Sequence, residues 1–414
     1  MTPTIAAPHA KKPAPTLSLY QLLDPAVLAN PYPLYERLRT EDPVHWDPYL
    51  HAWIVTRHAD VVTVFQRFSA ARTPSPEQLA ALGLAALTPI ARVMVKQMLF
   101  LDPPSHGRIR GIASRAFTPR RIEGLRSHIG DIVNGLLDAV QPAGRMDVIE
   151  DLAYPLPAIV TAELLGVPAS DRLQLKIWSE GFAEILGNFQ HNPDRIPVVL
   201  AAVEGMTAYF REAIREHRDH PQDDLITAFI DAEVDGDRLT EEEMVANLIV
   251  TMVGGQETTT NLIGNGMLTL LRHPDQLAKL VGDLSLVPSA VEELLRFESP
   301  SQHTARIASE DTELGGKLIR KRQAVIAVMG AANRDPERFA DPNQLDICRA
   351  DNRHLAFAWA SHFCFGAPLA RMEAQITFDL LLRRFPNPHL DTDQLTWRSN
   401  LGLRGLTALP VRFD

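Results

Sequence analysis

Residues 357–371 read Phe357-Ala358-Trp359-Ala360-Ser361-His362-Phe363-Cys364-Phe365-Gly366-Ala367-Pro368-Leu369-Ala370-Arg371, a single cysteine among aromatic and small apolar neighbours. Two readings of Cys364 are open. Free cysteines are usually buried and behave as small apolar residues, so a core thiol is the plain one. The other is a thiolate ligand. A helix starting near Gly366 would set its N-terminal dipole and free N–H groups against the sulfur, which stabilises the anion.

Composition narrows the class. At 414 residues, 45% of them hydrophobic, the chain can bury a sizeable core. No Gly/Ser-rich or charge-rich linker interrupts it. One domain is therefore expected over residues 17–414, behind a disordered tail over 1–16 that is rich in Ala, Pro and Thr. The net charge of −10 argues against nucleic acid as a partner. Cys348 and Cys364 are the two cysteines, without Cys-x-x-Cys spacing. A disulfide framework and a cysteine-only zinc site are excluded, and a reducing compartment fits better. The most apolar stretch, residues 248–255, is too short to span a bilayer. Residues 1–15 lack the continuous apolar segment of a signal peptide. A cytoplasmic chain with no membrane partner is expected.

Apolar residues recur at three- and four-residue steps over 26–39, 122–140, 198–217, 241–271 and 289–297, which predicts helices. Strand signals are short, at 52–56, 317–319 and 324–328, with Gly315-Gly316 as a turn. The expected fold class is mainly α with a small β region, antiparallel in pairing.

Three further segments carry chemistry. Gly254-Gly255-Gln256-Glu257-Thr258-Thr259-Thr260 lies inside the predicted helix over 241–271. Each glycine there costs about 1 kcal/mol relative to alanine. Either a neighbouring helix packs tightly on the glycines, or the helical groove is widened beside a bound group. Glu293-Leu294-Leu295-Arg296 places an acid and a base three apart on a helix, ordinarily a surface pair worth about 0.2–0.5 kcal/mol. Asp102-Pro103-Pro104-Ser105-His106-Gly107-Arg108-Ile109-Arg110 suggests a helix start, with His106 and Arg110 on one face. That face is either solvated or built to hold carboxylates.

In their order and spacing the four segments resemble those of the cytochrome P450 family. Residues 357–371 resemble its cysteine-ligand loop, Phe-Gly-x-Gly-x-His-x-Cys-x-Gly followed by Leu-Ala-Arg. Phe357, His362, Cys364, Gly366, Leu369, Ala370 and Arg371 match, while Ala358 and Ala360 stand where the family has glycines. If those positions need positive φ, each alanine costs on the order of 1 kcal/mol. Residues 254–258 resemble the oxygen-binding helix. Glu293 and Arg296 resemble the family's Glu-x-x-Arg pair, which joins a later arginine, here Arg349, with Arg353 the lesser candidate. Residues 402–406 resemble the closing hairpin, so the resemblance spans nearly the whole chain.

The resemblance implies the cytochrome P450 fold, with haem b between the helix carrying Glu257 and the loop carrying Cys364. It implies that Cys364, not Cys348, ligates the haem iron, and that this thiolate favours O–O cleavage. Glu257 and Thr258 become a catalytic acid–alcohol pair, since a hydroxyl both donates and accepts and a carboxyl can resupply it. His106, Arg110, Arg306 and His362 would hold the haem carboxylates, with Gly254 and Phe357 also against the cofactor. Glu293, Arg296 and Arg349 would form a buried structural network.

The activity implied is a monooxygenase that uses O2 on a small-molecule apolar substrate. No dinucleotide fingerprint follows a strand. Electrons are expected from a separate ferredoxin and ferredoxin reductase. Arg108, Arg110, Arg115, Arg120, Arg121 and Arg126 form a basic cluster, either ordinary surface charge or a docking face. The expected substrate wall is the stretch 70–100, with Phe182, Ile185, Leu186 and Phe189 in a second segment. Asn247, Val250, Thr251 and Gly254 share a face of the long helix, and Gln302, His303 and Thr304 precede Arg306. A medium-sized, largely apolar substrate with one or two polar handles is expected, such as a polyketide, macrolide or terpenoid, with a fatty acid as the alternative. A peroxide-driven peroxygenase and a non-catalytic haem-binding sensor of the same fold remain open. A monomer is expected.

Overall fold

The computed structural model describes residues 17–187, 195–392 and 394–413. The expected tail over 1–16 and Phe189 lie outside them.

The helix Glu241–Arg272 runs for 32 residues through the centre of the fold. Its start is fixed by a capping box. Thr240 accepts from the Glu243 N–H while the Glu243 carboxylate takes the Thr240 N–H. Glu241, Glu242 and Glu243 place negative charge at the positive end of the helix dipole. Most of its side chains beyond the first turn are buried, as expected of a helix packed on all sides. Its neighbours are Pro155–Leu164, Arg172–Gly187, Ile196–Asp219, Val287–Phe297 and Ala367–Arg384.

Two predicted helices divide. The stretch 26–39 forms Pro25–Ala29 and Tyr32–Glu41, parted at Asn30-Pro31, because proline fixes φ and disfavours helix in the residue before it. The stretch 122–140 belongs to Pro119–Gly124 and Arg126–Val140, with Leu125 between them.

A four-stranded sheet lies at one edge, in the order Val44–Asp47, Ala52–Val55, Ala324–Ala327, Thr304–Ile307. Its outer pairings are antiparallel, but Ala52–Val55 pairs in parallel with Ala324–Ala327. The β region is therefore mixed, not antiparallel. A parallel pair needs a long crossover, and here most of the helices lie between its two strands, so no local pattern announces it. Gly315 and Gly316, at φ 54° and 73°, make the turn between Thr312–Leu314 and Lys317–Ile319.

The largest buried apolar cluster draws on residues from Ile90 to Phe413, so distant parts of the chain share one core. Smaller clusters cover the two faces of the sheet. Among the described residues, no helix is long and apolar enough to cross a membrane.

Candidate functional site: the cavity over Cys364

The helix Ala367–Arg384 begins immediately after the cysteine loop, with Gly366 at its N-cap. Burial pushes the Cys364 thiol up from its ordinary value. The amide N–H groups of Gly366 and Ala367 and the charges of Arg110 and Arg371 pull the other way without overcoming it. These groups favour a thiolate at this one position. Phe363 N–H donates to Ala360 O at 3.1 Å and Ala358 N–H to Leu355 O at 2.9 Å, closing the loop in tight turns. Ala358 and Ala360 both have positive φ, 59° and 58°, the conformation that favours glycine. Cys348 is exposed and lies away from the cavity.

Above the sulfur is a cavity of about 320 Å³, bounded opposite by the helix Glu241–Arg272. The adjacent glycines Gly254 and Gly255 of that helix do different work. A Cβ on Gly254 would meet nothing within 4 Å, so this side opens the cavity. A Cβ on Gly255 would sit 2.6 Å from Thr161 Oγ1, so that glycine admits a neighbouring helix. Both readings of the pair hold, one for each residue.

Thr258 faces the cavity, its hydroxyl donating to Gly254 O at 3.0 Å. Glu257 points elsewhere, into a separate small cavity with Tyr154, Glu180 and Arg398. Burial pushes its carboxyl up to about 7, against the pull of Arg398. Adjacent in sequence and about 100° apart on one helix, the acid and the alcohol line different cavities.

Basic side chains crowd one end of the cavity. His106, Arg110, Arg306 and His362 all line it, as does Arg72. The rings of His106 and His362 lie 4.1 Å apart between centroids. Burial, then Arg306 and His106, push His362 down to about 3. Burial and Arg110 lower His106. Arg110 donates to Phe363 O at 2.7 Å, and Arg306 to Ala305 O at 2.9 Å. His106 Nε2 and Arg306 Nε are buried without a hydrogen-bond partner among the described residues. None of the three arginines has a carboxylate within ion-pair reach among the described residues. Buried cations require anions, and a flat ligand with two carboxylates would supply them here. The residues present therefore fit haem b, whose iron Cys364 would hold.

The substrate wall is partly as expected. Leu186, Val250, Thr251, Gly254 and Thr304 line the cavity, as does His303. Phe357 lines it on the cysteine side. Asn247, Phe182, Ile185 and Gln302, also expected there, do not, and Ile185 packs against the apolar core instead. Asn247 is fully buried and staples the segment before the cavity: its Oδ1 accepts from Met98 N–H at 2.9 Å and its amide donates to Lys96 O at 3.0 Å. Phe182 is buried in the helical core. Gln302 donates to Ser299 O at 2.7 Å, and its Oε1 packs against Gly330. Helical phase alone does not distinguish a residue facing a cavity from one facing a packed neighbour.

Behind the cysteine, Glu293 and Arg296 are fully buried and bidentate, at 2.7 and 2.8 Å. Arg349 Nε joins Glu293 at 3.1 Å, and Asn352 donates to it at the same distance. Arg353 is exposed and pairs with Asp351 instead. Next door, burial raises Glu292, but hydrogen bonds from Arg371 and His354 overcome it and hold the carboxyl at about 2. That link between Arg371 and Glu292 was not read from sequence.

Arg72 and Glu373 were also missed. Arg72 carries no motif and stands in a stretch read as an apolar wall. Glu373 lies two residues past the Leu-Ala-Arg motif, almost wholly buried on the cavity lining, and burial pushes it up to about 8. A charged residue on the inward face of a helix was the available signal.

Half of the basic cluster is paired with acids. Arg108 pairs with Asp237 and Glu243, Arg121 with Asp223 and Arg126 with Glu123. Arg115 and Arg120 are exposed.

A family model described as Cytochrome P450 matches residues 80–397. The chain is 40% identical to the biotin biosynthesis cytochrome P450 of Bacillus subtilis, over 94% of this chain and 97% of that one. It is 41% identical to the cytochrome P450 monooxygenase PikC of Streptomyces venezuelae, over 93% and 91%. The crystal structure of P450BioI in complex with an acyl carrier protein ligated to hexadec-9Z-enoic acid superposes with a TM-score of 0.88 at 39% identity, covering 94% of this chain and 99% of that one. A fold this close, a cysteine at a helix N-terminus and a carboxylate-hungry cavity lead to one conclusion: the chain belongs to the cytochrome P450 family, haem b monooxygenases of small molecules.

Proposed function

We propose that the protein hydroxylates or epoxidises a medium-sized, largely apolar secondary metabolite of the polyketide or macrolide kind, with electrons from a separate ferredoxin and its reductase, and that residues 17–414 work as one domain. The observation that carries the substrate class is the cavity wall. Leu99, Leu164, Leu186, Val250 and Leu403 enclose it, and the hydroxyls of Thr161 and Thr251 offer two polar handles. The likeness to PikC and to the polyketide biosynthesis cytochrome P450 PksS supports it.

When bound, haem b supplies the activation of O2 and the insertion of one oxygen atom into the substrate. The chain's own groups do the rest. Cys364 would hold the iron as a thiolate, an anion that the Gly366 and Ala367 amides favour against its burial. Arg110, Arg306 and His106 take the haem carboxylates. Thr258 Oγ1 would pass a proton into the cavity, and Glu257, its carboxyl pushed up to about 7 in the adjoining small cavity, would supply protons from that side of the helix. The apolar wall excludes water and aligns the substrate. A relay of this kind serves reductive activation, which favours the monooxygenase over a peroxide-driven reaction.

A second reading rests on the acyl-carrier complex of P450BioI. In it the substrate is a fatty acyl chain borne on a carrier protein. Titrating the ferric holoprotein with a macrolide, free hexadecenoic acid and hexadecenoyl carrier protein, and following the spin-state shift of the Soret band, separates the two. A saturable shift with the macrolide is expected. A shift with the carrier-borne chain alone would replace the first reading by the second.

A further inference from the structure

Arg72 has no place in the family motifs that located the other cations, yet it lines the same cavity. Its guanidinium lies over the Phe100 ring, 4.4 Å from the centroid, and Nη1 donates to Ala70 O at 3.3 Å. Among the described residues no carboxylate comes within ion-pair reach of it. Burial and the repulsion of Arg306 both act against its charge.

Its position is fixed by a junction of three chain segments. Ser69 exchanges two backbone hydrogen bonds with Ile307, each 2.9 Å, beside Arg306. The Ser69 hydroxyl and the Ala70 N–H, at 2.8 Å for the latter, both donate to Asp102. Asp102 O in turn accepts from the His106 N–H at 2.9 Å, at the head of the helix that carries Arg110. Arg72, Arg306 and the His106/Arg110 helix are thereby held in one arrangement around the cavity end.

The charges then count in a simple way. Arg72, Arg110 and Arg306 bring three positive charges. Asp102 brings one negative charge, felt by Arg306. The two haem carboxylates complete the balance. Without Arg72, three negative charges would face two guanidiniums in a water-poor site, which is costly. The geometry points to Arg72 as a further haem-carboxylate residue, set in place by the Ser69–Asp102 junction and shaping the charge around the cofactor. This rests on haem b occupying the cavity over Cys364.

The test compares Arg72→Gln and Arg72→Lys holoprotein with wild type in three measurements: haem transfer to apomyoglobin, the haem reduction potential, and the carbon monoxide spectrum of the reduced form. Arg72→Gln should release haem on the order of tenfold faster, as loss of one charge-assisted hydrogen bond implies. Its potential should fall, because a nearby positive charge favours the reduced iron. Arg72→Lys should keep the wild-type potential but recover only part of the retention, since a lysine cannot grip a carboxylate through two N–H groups. Both should keep a thiolate-type carbon monoxide band; its loss in wild type would instead sink the Cys364 ligand. Wild-type release and potential in Arg72→Gln would overturn the inference. So would a variant that loses only the binding of hexadecenoic acid, which would make Arg72 a substrate residue. If Arg72→Gln takes up no haem on expression, Arg72→Lys decides, and a lowered potential there would overturn the charge role.

Discussion

The backbone N–H of Cys364 donates to the carbonyl of Phe357 at 2.9 Å, closing a loop in which Ala358 and Ala360 are both held at positive φ. The loop needs this path to present the sulfur, and alanine adopts it against its own preference. Replacing both alanines by glycine should raise the stability of the holoprotein by up to about 1 kcal/mol per site, less the greater freedom glycine has in the unfolded chain. Thermal unfolding followed at the Soret band checks this. A double variant that instead loses haem would show that the two methyl groups pack against the macrocycle.

Thr258 and Glu257 predict a split phenotype. Thr258→Ala should still consume reducing equivalents but release hydrogen peroxide in place of product. Glu257→Gln should slow turnover without loss of haem. The Glu257 carboxyl, pushed up to about 7, is protonated below that pH and ionised above it. Product per electron pair should therefore fall in wild type as pH rises through about 7, and the Glu257→Gln profile should lack that limb. Equal yields from all three proteins would remove the relay.

The long helix and the cysteine helix were legible because their signals are local: a run of apolar residues at helical spacing, and a cysteine two residues before Gly366. The cations of the cavity were legible only where a motif carried them. Arg72 reaches the site through a bridge between Ser69 and Ile307, which are distant in sequence, and no spacing encodes that. The same holds for the parallel pairing of Ala52–Val55 with Ala324–Ala327. Asn247 and Gln302 were misplaced for a related reason. A buried amide on the right helical face satisfies its hydrogen bonds with backbone as readily as it greets a substrate.

The buried network behind the loop gives a stability prediction. Glu293 and Arg296 are fully buried with every strong hydrogen bond made. Glu293→Gln should leave Arg296 and Arg349 short of their counter-charge and lower stability by about 3–5 kcal/mol. Denaturant unfolding of the holoprotein measures it, and a change below about 1 kcal/mol would contradict the network's structural role.

Glu373 gives a pH signature. Its carboxyl is pushed up to about 8 in the folded protein, against an ordinary value near 4.5. Its favourable contribution is thus full below about 4.5 and is lost as pH rises to about 8, because unfolding releases a proton across that window. Glu373→Gln does not titrate. Its melting temperature relative to wild type should climb between pH 5 and 8 and level off above, as seen in thermal scans across that range. A difference independent of pH would mean that Glu373 is ionised in the folded state.

The identity of the ligand is the centre of the account, and the carbon monoxide difference spectrum of the reduced protein tests it most directly. Cys364→Ser should abolish the thiolate-type Soret band, and Cys348→Ser, at an exposed position away from the cavity, should leave it intact. Retention of that band in Cys364→Ser, or its loss in Cys348→Ser, would contradict the assignment of Cys364 to the haem iron.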